Sequence, residues 1–462
     1  MYRRYHIPIK HVPGRYAPIG KYIVIRNDFC INCGQCEIAC LYDVHKRRED
    51  DPRKMADPIS ERCVGCFRCI KTCPKNALEL RENEEYKKLG YKDWTAEVIK
   101  TLWFEAETGR VPVSGAGYKG KFAGPDYDSL WTDMSEIVRP TRDGIHGREF
   151  ISTAVFFGPR NMILNFDNLD EEIDKLPVPL EIQIPFVLMP PSFGPVTKKF
   201  LKILYEVASN VETLVIIDYN DFKNEDIPTE NIILRINAEN VTEDALTKVK
   251  CIELAGEPRQ IIEVTKSIRA IHPKLIISAY LPGKIFSPTF DLNVLLKMIN
   301  AGVHVFHIRV NGINDNESHN ETHIMKIIRK VHTFLVENNI RDAVTIMASG
   351  DIKLAEHVPK LIISGADLVA LDTTLMIALE CPLCLDCING GLCKREIDKI
   401  DENWGIDRIT NLLASWRDQL LEILGAMGMR EVRRLRGEVG RSISYEEEEK
   451  MLEEYISGGN VE

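Results

Sequence analysis

Twelve of the thirteen cysteines fall into three tight groups. Cys30, Cys33, Cys36 and Cys40 read C-x2-C-x2-C-x3-C, and Cys63, Cys66, Cys69 and Cys73 repeat that spacing and run into Pro74. Cys381, Cys384, Cys387 and Cys393 form the third group, far along the chain. A thiolate is a soft, negatively charged ligand, and three of them at two-residue intervals on a tight loop wrap one iron–sulfur cube. Where two cubes are built together, the fourth cysteine of each run ligates the other cube. The expected assignment is Cys30, Cys33, Cys36 and Cys73 for one [4Fe–4S] cluster, and Cys63, Cys66, Cys69 and Cys40 for its neighbour. Leu41, not proline, follows Cys40, a small departure from the pattern. Structural zinc uses paired C-x2-C knuckles and needs no such runs, and disulfides need an oxidising compartment. The chemistry implied is electron transfer.

Composition sets wide bounds. The 462 residues allow several domains, with 44% hydrophobic and 28% charged residues as in ordinary soluble proteins. A formal net charge of −10 argues against nucleic acid as the main partner. Basic residues gather at Arg3, Arg4, Lys10 and Arg15 and at Lys46–Arg48. They read as solvated surface or as a docking patch for an acidic carrier such as ferredoxin. The longest apolar run, around Ile184–Met189, is too short to span a bilayer, and no apolar signal core follows the basic start. The expectation is a cytoplasmic protein without a membrane span.

Five segments follow from the patterning. Residues 1–25 read as an irregular arm, and 26–107 as a two-cluster ferredoxin-like domain with a polar helical linker. Residues 108–183 read as a connector, whose glycines at 115, 117 and 120 formally make a dinucleotide fingerprint. Pro112 before it and Gly124-Pro125 after it deny that motif its strand and helix. Residues 184–399 alternate short apolar runs with amphipathic stretches. The runs are Phe186–Met189, Leu214–Asp218, Ile232–Ile236, Cys251–Leu254, Leu275–Leu281, Val303–Val310, Val344–Ala348 and Leu368–Leu371. Eight strands alternating with helices predict an α/β fold, a parallel (β/α)8 TIM barrel, with a doubly wound sheet as the alternative. The interval between the second and third strands is too short for a full helix. Residues 400–462 read as a helical extension to about residue 440, packed through Leu412, Leu413, Trp416, Leu420 and Leu424, then an acidic tail with Glu446–Glu449.

Chemistry in such barrels sits at the C-terminal ends of the strands. On the sixth strand Val303, Val305, His307, Arg309 and Asn311 share one side, predicted to face the lumen, and His304, Phe306, Ile308 and Val310 the other. Arg309 is a candidate catalytic residue, placed to meet an anionic ligand. Glu253 on the fourth strand is a candidate catalytic residue, or the partner of Arg309 in a buried ion pair. Phosphate cofactors bind near the last two strands, where the chain offers Ser349-Gly350-Asp351 and Asp372-Thr373-Thr374. Gly350 suits a close backbone approach, whereas Asp351 and Asp372 repel a phosphate unless turned away.

From residue 110 onward, and in its domain order, the chain resembles the FMN-binding synthase domain of glutamate synthases, in particular the archaeal type with an N-terminal two-cluster module. The likeness rests on Pro125-Asp126-Tyr127-Asp128-Ser129-Leu130 before Arg139-Pro140, on Ser192-Phe193-Gly194, and on Ser349-Gly350-Asp351-Ile352-Lys353. It continues in Gly365-Ala366-Asp367, in Ala378-Leu379 running into the third cysteine group, and in Leu424-Gly425-Ala426-Met427-Gly428 with Leu435-Arg436-Gly437. The resemblance implies FMN held by Ser192, Gly194, Asn311, Gly312, Gly350, Asp351 and Thr373. It also implies a cluster on Cys381, Cys387 and Cys393, commonly [3Fe–4S]; Cys384 adds a fourth thiol and with it the option of [4Fe–4S].

Several family features are altered. The glycine-rich run with a lysine near the second strand is Asp218-Tyr219-Asn220-Asp221-Phe222-Lys223, and no lysine stands in Ile276-Ile277-Ser278-Ala279-Tyr280. Arg309-Val310-Asn311-Gly312-Ile313-Asn314 replaces a Gly-His-Asp-Gly-Gly-Thr-Gly turn, and Asp372-Thr373 a Gly-Thr pair. The chain begins Met1-Tyr2, not with a nucleophilic cysteine, so release of ammonia from glutamine is expected to need a separate glutaminase subunit.

The resemblance implies an oxidoreductase that passes electrons from ferredoxin, or from an NAD(P)H-oxidising flavoprotein subunit, through the clusters to FMN for reduction of a 2-imino acid. The alternative is a non-catalytic electron-transfer subunit whose barrel has lost FMN. Either reading predicts a hetero-oligomer.

Overall fold

The computed structural model describes residues 4–112, 126–132, 150–160, 177–194, 196–222, 228–287, 289–310, 323–388, 391, 393 and 395–444. The chain divides into two compact units. One comprises Pro13–Lys100 with Pro382–Leu385, the other Met1–Val12, Thr101–Cys381 and Asp386–Glu462.

In the cysteine-rich unit, strand β1 (Tyr22–Arg26) pairs antiparallel with β2 (Leu78–Glu82), Val24 opposite Leu80. The arm expected over 1–25 therefore gives way to a strand at Tyr22, because Ile23, Val24 and Ile25 alternate against β2. Helices α1 (Gln35–Ala39) and α2 (Arg68–Thr72) have five residues each, far below the length at which a helix holds itself. Their support is tertiary: Val24, Cys36, Val44, Met55, Cys69 and Leu78 form a small core against which Cys40, Cys63 and Cys73 pack. The thiols are thus themselves a large part of this core. Helix α3 (Glu84–Lys87) follows, started by Asn83, whose side chain accepts from the Glu85 N–H at 3.0 Å. Helix α4 (Ala96–Thr108) crosses the division between the units at Lys100–Thr101, ahead of the boundary expected at 107.

The other unit is built on a closed barrel of eight parallel strands. These are β6 (Phe186–Leu188), β7 (Val215–Asp218), β8 (Ile232–Asn237), β9 (Cys251–Ala255), β10 (Ile276–Pro282), β11 (Val305–Arg309), β12 (Thr345–Ser349) and β13 (Leu368–Leu371), with β13 pairing back onto β6. Parallel strands covered by helices outside and side chains inside are apolar on both faces, and β6, β11, β12 and β13 are buried along their whole length. All eight strands stand where the apolar runs predicted them, and the sheet closes.

Helices Lys198–Asn210, Pro258–Ile271, Asn293–Ala301 and Ile324–Glu337 lie between successive strands. Each has a local start or stop. Thr197 accepts from the Phe200 N–H at 3.2 Å, Pro258 occupies a first-turn position, and Gly302 (φ 109°) ends its helix against the Arg269 side chain. Between β7 and β8 the described residues hold only the four-residue helix Tyr219–Phe222, the short interval foreseen.

Part of the expected connector forms structure at the opposite pole from the mouth. Strands β4 (Val155–Phe157) and β5 (Leu180–Ile182) pair antiparallel. The Gly158 N–H donates to Oγ1 of Thr345, the first residue of β12, at 3.3 Å, so this pair covers the N-terminal end of the barrel. The glycine fingerprint at 115–120 lies outside the described residues.

The C-terminal helix, Glu402–Ala426, buries the predicted stripe: Leu412, Leu413, Trp416, Leu420 and Leu424 are all enclosed. Trp416 stands edge-on to Phe186 with ring centres 6.2 Å apart, and its indole N–H donates to Glu105 of α4 at 2.8 Å. Helix does not continue to residue 440. It stops at Ala426, and Gly428 (φ 72°) and Gly437 (φ 75°) turn the chain through Val432–Leu435 and Val439–Arg441 into β14 (Ser442–Ser444), which pairs with β3 (Leu130–Thr132). The acidic tail lies outside the described residues. No helix among the described residues is long and apolar enough to cross a membrane.

Candidate functional sites: two thiol-lined cavities and the barrel mouth

The cysteine-rich unit contains two small cavities. One is lined by Cys30, Cys33, Cys36 and Cys73 together with Arg26, Ile31, Met55 and Leu78. The other is lined by Cys40, Cys63, Cys66 and Cys69 together with Val44, His45, Val64 and Phe67. Each therefore gathers three thiols from one sequence run and the fourth from the other run. The local reason is the same in both halves. Gly34 (φ 80°) and Phe67 (φ 59°) turn the chain left-handed right after Cys33 and Cys66, so that α1 and α2 carry Cys36 and Cys69 inward. Cys40 and Cys73 follow in extended conformation at the helix ends, which directs each across to the other half.

The thiols stand on walls around a space and do not close on a point; among the described residues no three Cys, His, Asp or Glu side chains are grouped to hold a single metal ion. That spacing fits a cube with a thiolate at each iron corner better than one tetrahedral ion. Burial pushes the Cys36 and Cys63 thiols up, and Cys69 up to about 11, where the neighbouring Cys63 adds to the effect. Thiols crowded in an apolar wall resist ionisation, and a cationic iron core supplies the opposite charge that reverses this. The Ala77 N–H donates to Cys73 Sγ at 3.2 Å, the kind of backbone–sulfur bond that tunes cluster potential. Arg26 donates to the Ala56 carbonyl and lies 3.4 Å from His45 Nδ1. Burial, then Arg26, lowers His45 to about 4, so it is neutral at pH 7.

The third group is divided. Cys381, Cys387 and Cys393 belong to the barrel unit, and Cys384 to the segment Pro382–Leu385 assigned to the cysteine-rich unit. Cys381 and Cys387 are buried, Cys384 and Cys393 half-buried.

Inside the barrel, His307 and Arg309 face the lumen as the alternation predicted, while His304 turns outward to Arg269 on the helix side. The predicted pairing of Glu253 with Arg309 is not what forms. Glu253 accepts from Arg235 Nε at 2.7 Å and Nη2 at 2.6 Å, and its other oxygen stands 2.6 Å from His307 Nδ1. His307 Nε2 in turn is 2.7 Å from Ser349 Oγ. Arg309 pairs with Asp372 at 2.9 Å. The physical reason is height along the lumen: Arg235 stands opposite Glu253 in the β8–β9 register, whereas Arg309 is one inward position nearer the mouth than His307. Burial raises the Glu253 carboxyl, but His307 and Arg235 outweigh it and hold it at about 2. Burial also lowers His307, against the pull of Glu253. The state that fits is a carboxylate accepting from a neutral imidazole, which accepts the Ser349 hydroxyl proton at Nε2. Glu253, His307 and Ser349 are fully enclosed, and what this hydrogen-bonded chain holds is Arg235.

At the ends of β12 and β13 the candidate phosphate residues largely satisfy one another. Gly350 has φ 97°, and a Cβ there would overlap the Val310 carbonyl, so its bareness serves the protein's own backbone. Asp351 pairs with Lys353 at 2.9 Å. Asp372 accepts from the Thr373 N–H at 2.5 Å while also holding Arg309. On the other side, Ser192 and Gly194 after β6 are exposed, and a Cβ on Gly194 would meet, among the described residues, Met376 at 3.8 Å. The mouth thus carries two cations, Arg309 and Lys353, and one bare backbone surface; an anionic group there would have to exchange partners with Asp372 or Asp351. Asn311 and Gly312 lie outside the described residues.

A second cleft, of about 380 Å³, opens over the ends of β7, β8 and β9, lined by Asp218, Asn220, Asp221, Arg235, Asn237 and Asn240 among others. Arg235 was not among the sequence candidates. The signal for it is a lone arginine at an inward position in an otherwise apolar strand, Ile232-Ile233-Leu234-Arg235-Ile236.

Comparison with known proteins bears on both units. Residues 23–80 match a 4Fe-4S dicluster domain, and residues 317–430 match the conserved region in glutamate synthase. The chain is 27% identical to the archaeal-type glutamate synthase [NADPH] of Dehalococcoides mccartyi, over 90% of this chain and 94% of that protein. It is 25% identical to the archaeal glutamate synthase [NADPH] of Archaeoglobus fulgidus, over 89% of this chain and 91% of that protein. A ferredoxin of Pyrobaculum islandicum is 31% identical over 80 residues, which are 17% of this chain and 72% of the ferredoxin. With a dicluster domain first and a region conserved in glutamate synthases after it, the chain is similar over about nine-tenths of its length to archaeal-type glutamate synthases.

Proposed function

We propose that the protein is a glutamate synthase-like iron–sulfur flavoprotein oxidoreductase that uses electrons from a reduced carrier to convert a 2-imino acid to an amino acid. The observation that carries this reading is the pair of cavities that each gather four thiols across the two halves of the dicluster domain. Thiol sets of that kind hold two [4Fe–4S] clusters, on Cys30, Cys33, Cys36 and Cys73 and on Cys40, Cys63, Cys66 and Cys69. Cys381, Cys384, Cys387 and Cys393 would hold a third, of [4Fe–4S] or [3Fe–4S] type. Ser192, Gly194, Arg309, Gly350, Asp351, Lys353 and Thr373, with Asn311 and Gly312, would hold FMN. Bound there, the flavin supplies the exchange between single electrons and a hydride.

The chain's own residues bind and orient. Arg309 and Lys353 neutralise an anionic group once Asp372 and Asp351 release them, and the Glu253–His307–Ser349 chain fixes the lumen beneath. The partners implied are ferredoxin or an NAD(P)H-oxidising flavoprotein subunit as donor, and a separate glutaminase subunit as ammonia source, in a cytoplasmic hetero-oligomer.

The test is anaerobic purification with iron, sulfide and flavin counts. About twelve irons and one FMN per chain are expected for three cubes. The same iron with no flavin, even after reconstitution, would sink the flavoprotein part; about eight irons would remove the third cluster.

A further inference from the structure

The lining of the cleft over the ends of β7, β8 and β9 includes none of the phosphate-type residues of β12 and β13, although Met189 Sδ touches both Arg235, at 3.2 Å, and Arg309, at 3.7 Å. The cleft's volume, about 380 Å³, suits a small metabolite. Arg235 is its central feature. Two guanidinium nitrogens, Nε and Nη2, are spent on Glu253, and Nη2 also touches Met189 Sδ at 3.2 Å. Tyr280 lies against the guanidinium with its ring centre 4.8 Å away. The third nitrogen, Nη1, has no hydrogen-bond partner among the described residues, while Arg235 itself lines the cleft. A guanidinium clamped on two sides and open on the third is preorganised to donate to a ligand oxygen.

Around it stand the amides of Asn220, Asn237 and Asn240 and the carboxylates of Asp218 and Asp221. Asp218 ends β7, opposite Arg235 in the β7–β8 register. Burial, opposed by Arg235 and assisted by Asp221 and Glu253, raises its pKa, which marks a carboxylate short of positive charge. Glu253 already offsets Arg235, so the two aspartates leave the cleft with surplus negative charge. A second ligand carboxylate is therefore unwelcome, whereas an ammonium is attracted.

We infer that this cleft binds an α-amino acid with an uncharged side chain, its carboxylate on Arg235 Nη1 and its ammonium on Asp218. This deepens the amine-forming reading above and rests on it for the biological role only. It also narrows that reading, since glutamate, with its extra carboxylate, is disfavoured.

The probes are L-glutamine and L-glutamate, near-isosteres that differ by one charge, and 2-oxoglutarate, which lacks the ammonium. Full-length protein, purified anaerobically with its iron counted, is titrated calorimetrically with each. L-Glutamine is expected to bind at least about tenfold more tightly than the other two. Asp218→Asn is expected to weaken L-glutamine by about tenfold or more. Arg235→Lys, which keeps a cation for Glu253 but loses the fork, is expected to do the same with iron content and circular dichroism intact. Equal affinity for the three ligands, no binding of any, or an unaltered Asp218→Asn overturns the proposal. Binding is read without turnover, so the two readings fail separately. A protein that binds L-glutamine yet reduces no imine sinks the catalytic reading, and one that turns over while its cleft ignores amino acids sinks this one.

Discussion

Arg26 offers the sharpest handle on the proposed electron path. Its side chain is in the wall of the cavity lined by Cys30, Cys33, Cys36 and Cys73, and its charge acts on the Cys36 thiol. The neighbouring cavity has His45 in the corresponding wall, held neutral at pH 7 by burial and by Arg26. A fixed cation near one cluster favours the added electron there. Arg26→Leu should therefore lower the potential of that cluster. At a separation of about 8 Å and an effective dielectric of about 20, one unit charge is worth about 2 kcal/mol. At 59 mV per factor of ten that is about 90 mV for one electron. Arg26 is only partly buried, and solvent screening brings the expected drop to about 40–90 mV. The other cluster, whose cavity Arg26 reaches only through His45 and does not line, should move by less. An electron-resonance redox titration of both clusters measures this, with iron content and circular dichroism confirming an intact domain. Equal shifts at the two clusters, or a change below about 20 mV at both, would refute the assignment of Arg26 to one site.

Two further predictions rest on geometry. Cys40→Ala should damage the cluster of Cys63, Cys66 and Cys69 while sparing the one on its own run, and Cys73→Ala should do the reverse; with the Arg26 shift as a label for the first cluster, electron resonance tells them apart, and loss of the same-run cluster would contradict crossed ligation. Glu105 is buried with no cation paired to it among the described residues, and burial, eased by the Trp416 N–H and aggravated by Glu356, pushes it up to about 8. A carboxyl with a raised folded pKa binds more protons folded than unfolded between about pH 4.5 and 8, so stability falls as pH rises through that window. Glu105→Gln keeps an acceptor for Trp416 and should flatten that decline, gaining on the order of a few kcal/mol at pH 8 in thermal unfolding of anaerobic protein; a slope identical to the parent protein's would show that Glu105 is not the group responsible.

Short-range pattern made much of this molecule legible. The eight barrel strands announce themselves because parallel strands buried on both faces are apolar throughout, and their spacing leaves room for helices between most of them. The cysteine runs announce themselves because ligand spacing on one loop is a local property. Patterning misled at the C-terminal helix, which was expected to run to about residue 440 and stops at Ala426, ahead of Gly428. It also misled in the 108–183 segment, whose three-residue strands are held by pairing with distant partners such as β14.

Ligand type, the positions of the strands along the chain and the inward face of β11 were legible from residue identity and period alone, since each depends on neighbours a few positions away. The partner of each buried charge was not. Glu253 chose Arg235 over Arg309 because register across β8 and β9 sets which side chains share a level in the lumen, and Arg309 was left to Asp372. The same holds for the polar cleft: Asp218 and Arg235 are separated by a loop in the chain and become facing charges only when β7 and β8 pair. Such pairings depend on which strands become neighbours in the closed barrel and at what stagger, and no run of consecutive residues encodes that.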